Sequence, residues 1–533
     1  MTRTLLRGGY VHTPAYPHAS AVCIEGGAVV WTGDDDAAQH FADGADRVVE
    51  LDGRLVTPGF VDAHAHLAQT GFAASGLDLS DVTSLADALD ALSVHAGAST
   101  AAVILGFGWD ETGWPEQRPF TRAEVDRATR GRMAFLSRVD VHSAVLSSAF
   151  LDACPDVVHT EGYDATGVVA RDAHHVARTG LFRLTPAADR EDAILRALRD
   201  AAAHGIAMVH ELGAPHICPP EDLELLAALA DRRGLPETVR YWGSLDVEQA
   251  RALGCAGAAG DLCMDGSIGS HTSALHQPYA DADTSGHLYL DAAQVTAHVV
   301  ACTRAKVQAG FHAIGDRAVA EAVAGFQAAA EAIGSPAIIR GRHRLEHVEM
   351  ATPGEMSVLG RLGVTASMQP MFDAYWGGED SLYAQRLGAD RAVPMNAFAS
   401  MNRAGVALAF GSDTPVTPFD PWAGIRAATR HHTATERITA RAAFNAYTRG
   451  GWRAAGQDEG GVIALGAPAS LAVWDVPGDL VVQTPDARIA AWSTDPRAGV
   501  PQLPDLHPDV DLPTCVLTLV RGETAYERPG AWE

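Results

Sequence analysis

A parallel (β/α)8 barrel is the architecture this sequence predicts. Three observations lead there. Eight apolar runs of about six residues recur between Gly59 and Gly456: GFVDAH, GIAMVHEL, TVRYWGSL, GDLCMDG, VQAGFHAIG, HRLEHVE, GVTASMQP and VALAFGSD. Ala- and Leu-rich stretches with helical character, such as EDLELLAALADRRG and AVAEAVAGFQAAAEAIG, separate several of them. Four of the runs finish in histidine or aspartate. Strand C-termini of such a barrel converge on one face, and that face holds the active site. A doubly wound open sheet is the rival architecture, but no GxGxxG follows the first run.

Taken in chain order, the first ~55 residues read as short strands with Gly-pair turns: TLLRGGYVHT, AVCIEGGAVVWTG, RVVELDGRLVTPG. The C-terminal end has the same texture in GVIALGAPASLAVWDV, RIAAWST and CVLTLVRGETAYE. Residues 1–57 plus 457–533 are therefore expected to form one composite β-sandwich domain, because chain termini commonly lie close together. The barrel occupies 58–456. About 140 residues separate its first two runs, far beyond a usual βα connection, so a large insertion is expected at about 68–190. That segment carries its own strand candidates, AAVILGFGW and MAFLSRVD.

Composition restricts the function. The 533 residues are 47% hydrophobic and 20% charged, ordinary for a globular protein, with a net charge of −26. Such acidity, without any Lys/Arg-rich run, disfavours nucleic acid and anionic membrane as partners. No stretch approaches the ~18 apolar residues of a membrane span, and MTRTLLRGGYVHTP lacks the apolar core of a secretory signal. The seven scattered cysteines form no CxxC and read as reduced thiols, so a cytoplasmic location is expected.

The chemistry sits at the strand ends. In TPGFVDAHAHLAQTG, His64 and His66 are two residues apart, so an extended chain projects both rings to one side. The fifth run ends with His312 and Asp316, the sixth with His347 and the eighth with Asp413. Singly, each is as well explained by hydrogen bonding or turn capping. Together, in strand order, they describe a site for Zn²⁺, Mn²⁺ or Fe²⁺. Asp261, Cys263 and Asp265 share one face if GDLCMDG is a strand. Of these, Cys263 reads as a small core residue. Glu211, after His210, is placed to support a metal-bound histidine, and Asp316 to cap the helix after it. Trp109, His142 and Gln369 are candidates for contacting substrate, and Trp114, Phe372, Tyr375 and Trp376 for an apolar pocket. His431 and His432 fall in a polar helical stretch and are expected in solvent. No GxSxG places a serine as nucleophile.

The combination H-x-H, GFHAIGD, EHVE and GSDTPV, in this order, resembles the metal-dependent amidohydrolase superfamily. GFGWDETGW, DVHSAVLSS, MDGSIGSHTSAL, FHAIGDRAV and SMQP are similar to its YtcJ-like, amidohydrolase 3 branch, over nearly the whole chain. The resemblance implies that His64, His66 and Asp413 hold one metal and His312 and His347 a second, most simply zinc. It also implies that Asp413 takes the proton from the attacking water. One departure stands out. Many superfamily members carry a bridging carboxylated lysine on strand four, and here Asp261 occupies that place. Either a carboxylate, Asp261 or Asp265, bridges directly, or no bridge exists and one ion suffices.

The function these readings imply is hydrolysis of a non-peptide carbon–nitrogen bond in a small-molecule substrate, such as an amide, formamide or cyclic amide. The alternatives are a metal-dependent isomerase or esterase on the same scaffold, and a metal-free binding protein. A homodimer is compatible with the sequence.

Overall fold

The computed structural model describes residues 2–230, 232–483, 492–493 and 500–532. Its centre is a parallel sheet of eight strands: β1 (Phe60–Ala65), β2 (Ile206–Gly213), β3 (Glu237–Trp242), β4 (Gly257–Ala258), β5 (Gln308–Ala313), β6 (Arg344–His347), β7 (Thr365–Met368) and β8 (Ala407–Phe410). Each strand pairs with its predecessor in sequence. The segment after β8 meets the end of β1: Asp413 N–H donates to the His64 carbonyl at 2.8 Å, and His66 N–H to the Thr414 carbonyl at 3.1 Å. The sheet thus closes toward a barrel at its C-terminal mouth, where the metal-type residues stand.

Seven of the eight expected runs coincide with barrel strands. The fourth does not. GDLCMDG is irregular, and β4 is instead the short Gly257–Ala258 just before it. Gly260, at φ +84°, breaks the strand, and a Cβ there would lie 2.4 Å from Leu212. The chain then runs beside β5: His312 N–H donates to Leu262 O at 3.2 Å and Met264 N–H to His312 O at 2.8 Å.

Helices cover the barrel for local reasons visible in the sequence. Ala292–Ala305 starts in a capping box of Asp291 and Gln294, and Lys306 ends it in the left-handed conformation. Asp316–Ile333 buries Ala318, Val319, Ala322, Val323, Phe326, Ala329 and Ala330, the 3–4 spacing of an amphipathic helix. The two helices pack so closely that a Cβ on Gly325 would sit 2.3 Å from Val295.

Between β1 and β2 the chain builds a five-stranded sheet from Leu77–Asp78, Ile104–Trp109, Ala134–Arg138, Ser143–Leu146 and Val168–Ala170. Helix Arg171–Leu184 returns from it toward the barrel. The chain ends meet. Leu55–Pro58 pairs antiparallel with Leu471–Asp475, which pairs with Thr514–Val520. A four-stranded sheet from residues 3–50 shares one apolar cluster with them, including Leu6, Val22, Ile24, Val473, Leu517 and Leu519. Of the expected run RIAAWST, only Trp492 and Ser493 are described, as a strand; the rest lies outside the described residues.

Candidate metal centre

The site is assembled from the ends of β1, β5 and β6 and from two loops, residues 260–265 and 411–416. His64 and His66 leave the end of β1 with ring centroids 5.3 Å apart. His347 lies 4.8 Å from His64 and 4.4 Å from His312, centroid to centroid. Asp413 Oδ1 is 3.3 Å from His64 Nε2 and 3.1 Å from His66 Nε2. All five are buried.

Asp261 occupies the middle. Its Oδ1 is 3.4 Å from His64 Nε2 and 3.8 Å from His312 Nδ1, and its Oδ2 is 3.2 Å from His66 Nε2. Three sets of side chains could hold an ion: His64, His347 and Asp413; His64, His66 and Asp261; and Asp261, His312 and His347. Asp261 belongs to two of them, so of the two carboxylates left open by the sequence it alone is placed to bridge. Asp265 is committed elsewhere. Its carboxylate accepts backbone N–H bonds from Ala274 (2.8 Å), Ile314 (3.0 Å) and Gly315 (2.8 Å). Cys263 is turned toward His216, with Sγ 3.7 Å from Nε2.

Backbone conformation aims two of these groups. Glu346 points into the barrel, so simple strand alternation would send His347 outward. Positive φ values at His347 (68°) and Val348 (51°) turn the chain and bring the ring into the site. Asp413 likewise has φ 57°. Such strained conformations concentrate at functional sites.

A second layer fixes which ring nitrogen faces inward. His64 Nδ1 donates to Glu346 Oε2 at 3.0 Å, His347 Nδ1 to Gln369 Oε1 at 2.8 Å, and His312 Nε2 to the Gly266 carbonyl at 3.3 Å. The opposite nitrogen of each ring is left for the centre. Glu346 is itself clamped by Arg344, through Nε at 2.6 Å and Nη2 at 2.9 Å. Neither Arg344 nor Glu346 stood out in the sequence, although their two-residue spacing on β6 was the available signal. Glu211 Oε2 accepts the Leu67 N–H at 2.8 Å, which anchors the backbone beside His66. Asp316 does not cap the helix after β5: Gly315 holds the cap position, Asp316 is the first helical residue, and its carboxylate is taken by the His276 N–H at 2.9 Å.

The donor set suits a divalent cation. His64 Nε2 and Asp261 Oδ1 face the centre and are buried without a hydrogen-bond partner. Burial opposes charge on His64 and His66, yet Asp413 and Asp261 outweigh it. They raise His64 well above its ordinary value and His66 to about 9. Burial likewise opposes ionisation of Asp261 and Asp413, and His64 with its neighbours overcomes it, holding both well below the usual carboxylate range. Two adjacent carboxylates thus demand positive charge at this spot, which a metal ion provides with neutral imidazoles as ligands.

The centre opens into a pocket lined by His142, His312, His347, Phe372, Trp376 and Asp413, among others. His142 lies 5.2 Å from His312, and burial, then His312, lowers it to about 4. The insertion forms one wall through a polar network. Arg138 binds Asp110 (2.8 Å), Glu111 (2.9 Å) and Asp140 (3.0 Å), and Ser267 donates to Asp140 at 2.7 Å.

Four further expectations need correction. Neither Trp109 nor Trp114 faces the pocket: they pack with Phe120 in the insertion's core, and their indole N–H groups donate to the Leu136 carbonyl at 2.9 Å and the Val82 carbonyl at 3.0 Å. Tyr375 is about half exposed, away from the pocket lining. His431 is buried, not solvated, with Nε2 3.3 Å from Asp373 Oδ1, because the chain folds this polar stretch against the Pro370–Trp376 helix. No helix among the described residues is long and apolar enough to cross a membrane.

Comparison with known proteins agrees with this geometry. The model of the amidohydrolase family matches residues 47–526. The chain is 25% identical over 481 residues to the putative amidohydrolase YtcJ of Bacillus subtilis, covering 82% of this chain and 85% of that one. A shorter match, 29% identical over 145 residues and 27% of each chain, is to an N-substituted formamide deformylase of Arthrobacter pascens. Among solved structures, an uncharacterized metal-dependent hydrolase of Pyrococcus furiosus superposes with a TM-score of 0.70 at 25% identity, over 88% of this chain and 98% of that one. With a family match spanning most of its length and imidazole and carboxylate side chains that could hold a metal gathered at the barrel mouth, this chain belongs to the amidohydrolase family.

Proposed function

We propose that the protein hydrolyses a non-peptide carbon–nitrogen bond, as in an amide, formamide or cyclic amide, of a small molecule. His64, His66 and Asp413 would hold one divalent ion, most simply zinc, and His312 and His347 a second, with Asp261 between them. The observation that carries this reading is the convergence of four histidines and two aspartates, with partnerless donor atoms, on one buried point. The composite β-domain of 1–57 and 457–533 and the insertion would frame the barrel without supplying ligands.

A bound divalent ion would supply a Lewis acid that polarises a carbonyl and makes water a nucleophile at neutral pH. The rest falls to the chain's own residues. Asp413, with Oδ1 3.3 Å from His64 Nε2 and 3.1 Å from His66 Nε2, stands at the centre as the carboxylate that can accept a proton from water and pass it to the leaving amine. Gln369 Nε2 is buried without a partner and is free to donate to substrate while Oε1 holds His347. His142, neutral at physiological pH, can donate from the opposite wall. Phe372 and Trp376 exclude water around the scissile group.

The test is amine release from a panel of formamides, linear amides and cyclic amides by metal-loaded protein, with matched esters alongside. Release of amine, lost in Asp413→Asn, is the expected result. Cleavage of esters alone, or turnover unaffected by removing the metal, would refute the reading.

A further inference from the structure

The part of the insertion from 77 to 184 is a body of its own. Its two apolar clusters draw only on residues of that range, and the large cluster of the barrel includes none of them. The chain enters and leaves this body side by side. Helix Leu67–Ala73 leads in and helix Ala187–Ala203 leads out. They pack so closely that a Cβ on Gly71 would lie 1.9 Å from the Ala193 carbonyl oxygen. Both stems are therefore fixed to the barrel, and the chain crosses to the outer body at 74–76 and 185–186.

The seam between the two bodies is loosely filled. At its front lies the pocket of the metal centre, where the space left for water is about 30 Å³, the room of one molecule. Behind it, Ser137 and Val141 line an enclosed void of similar size, with Ala68 and Gln69 on the barrel side. At the back, Phe72, Leu105 and Thr185 pass from that void into a surface groove of about 260 Å³. The groove also borders both crossings, at Ser75, Gly76 and Pro186. Protein interiors are ordinarily packed without such gaps, so three in a row mark a plane along which the bodies can rock.

The contacts that hold the front closed are polar. Among the described residues, hydrogen bonds from 77–170 to the barrel involve three side chains of that range: Glu111, Asp140 and Ser143. Glu111 Oε1 accepts from Arg386 Nη2 at 3.1 Å, and Ser143 Oγ lies 2.9 Å from Ser270 Oγ. Asp140 Oδ2 accepts from Ser267 at 2.7 Å and from Ser270 at 2.8 Å. A Cβ on Gly269, between these serines, would lie 2.6 Å from both Arg138 Nη1 and Asp140 Oδ2. The loop GSIGS, 266–270, is thus shaped to receive Asp140. It also serves the metal centre, because the Gly266 carbonyl accepts from His312 Nε2. Further along the seam, His175 stacks on His216 with ring centroids 4.1 Å apart. Bodies with separate cores and a polar seam move relative to one another unless something larger holds them.

We propose that residues 77–184 are a hinged cap, that Asp140 is its latch on the GSIGS loop, and that substrate reaches the metal centre when the latch releases. The room of one water does not admit an organic molecule, so this structure is the closed form. Release withdraws His142 from His312, and closure over bound substrate returns it and reseats the loop that orients His312. The word substrate rests on the C–N hydrolase reading; the motion does not.

Two measurements keep these apart. The hydroxyl oxygens of Ser143 and Ser270 are close enough for a disulfide in Ser143→Cys/Ser270→Cys. Once oxidised, with the cross-link verified by mass spectrometry, this variant should lose at least 100-fold in turnover of the amide panel. A thiol reductant should restore it. Full turnover by the cross-linked protein would show that side-chain motion alone admits substrate, and would overturn the proposal. Spin-label distances test the motion without substrate. Labels go on Val94→Cys, exposed on the cap, and Ile339→Cys, exposed on a barrel helix, since the native cysteines are buried. Adding Ser267→Ala/Ser270→Ala should enlarge a second distance population at least tenfold, while Asp140 keeps its bond to Arg138 and the fold is retained. A single, unchanged distance in that latch-free variant would equally overturn the proposal. Absence of turnover in every form would count against the hydrolase reading, and the distances would then decide the cap by themselves.

Discussion

Glu346 Oε2 lies 3.0 Å from His64 Nδ1, across 282 residues of sequence. This contact selects the tautomer of His64 that offers Nε2 to the centre, and it hands the histidine a negative charge that strengthens its basicity. Glu346→Gln should lower metal affinity by about 10- to 100-fold, measured by competition with a chelator. It should also lower the melting temperature, because Arg344 is left buried beside a neutral amide.

Asp261 and Asp265 are four residues apart and do different work. Asp261→Asn should reduce bound metal per chain, measured by elemental analysis, and abolish turnover with little change in melting temperature. Asp265→Asn should leave the ligand atoms in place but disturb three backbone N–H bonds, at a cost of roughly 2–4 kcal/mol in denaturant unfolding. Equal metal loss in the two variants would contradict the assignment of Asp261 as the bridging candidate.

Asp413→Asn removes the proposed proton acceptor while keeping the shape of the side chain. Turnover should fall by about 10²- to 10⁴-fold, with folding preserved as judged by circular dichroism. A variant that keeps wild-type kcat would eliminate Asp413 from proton transfer.

His343 offers a pH probe remote from the centre. Its Nδ1 accepts the Ala309 N–H at 2.9 Å and its Nε2 sits 2.9 Å from Thr303 Oγ1, an arrangement suited to the neutral ring. Burial, aided by His298, lowers it to about 4. The unfolded chain binds this proton near pH 6.5 and the folded one only near 4, so stability is full above 6.5 and declines as pH falls toward 4. His343→Asn should flatten the dependence of unfolding free energy on pH in that window. An unchanged slope would show that other buried histidines dominate it.

The barrel and most of its candidate ligands could be read directly from the residues because their signals are local. Apolar runs mark strands, two-residue spacing marks a shared face, and polar ligands at run ends mark the mouth of the barrel. His64, His66, His312, His347 and Asp413 all carried that signature. The exceptions arise where the partner is remote. GDLCMDG has the composition of a strand, but Gly260 breaks it, so alternation could not say which aspartate enters the site. His347 enters through a left-handed backbone that no side-chain pattern announces. Trp109 resembles a pocket residue until Phe120 and the Leu136 carbonyl are seen to claim it. Arg178 looks like any surface arginine on a helix, and folding encloses it with Nη2 left without a hydrogen-bond partner. Burial and alternation are written into neighbouring residues, whereas ion pairing, bridging and unpartnered donors depend on groups that only long-range packing brings within a few ångströms.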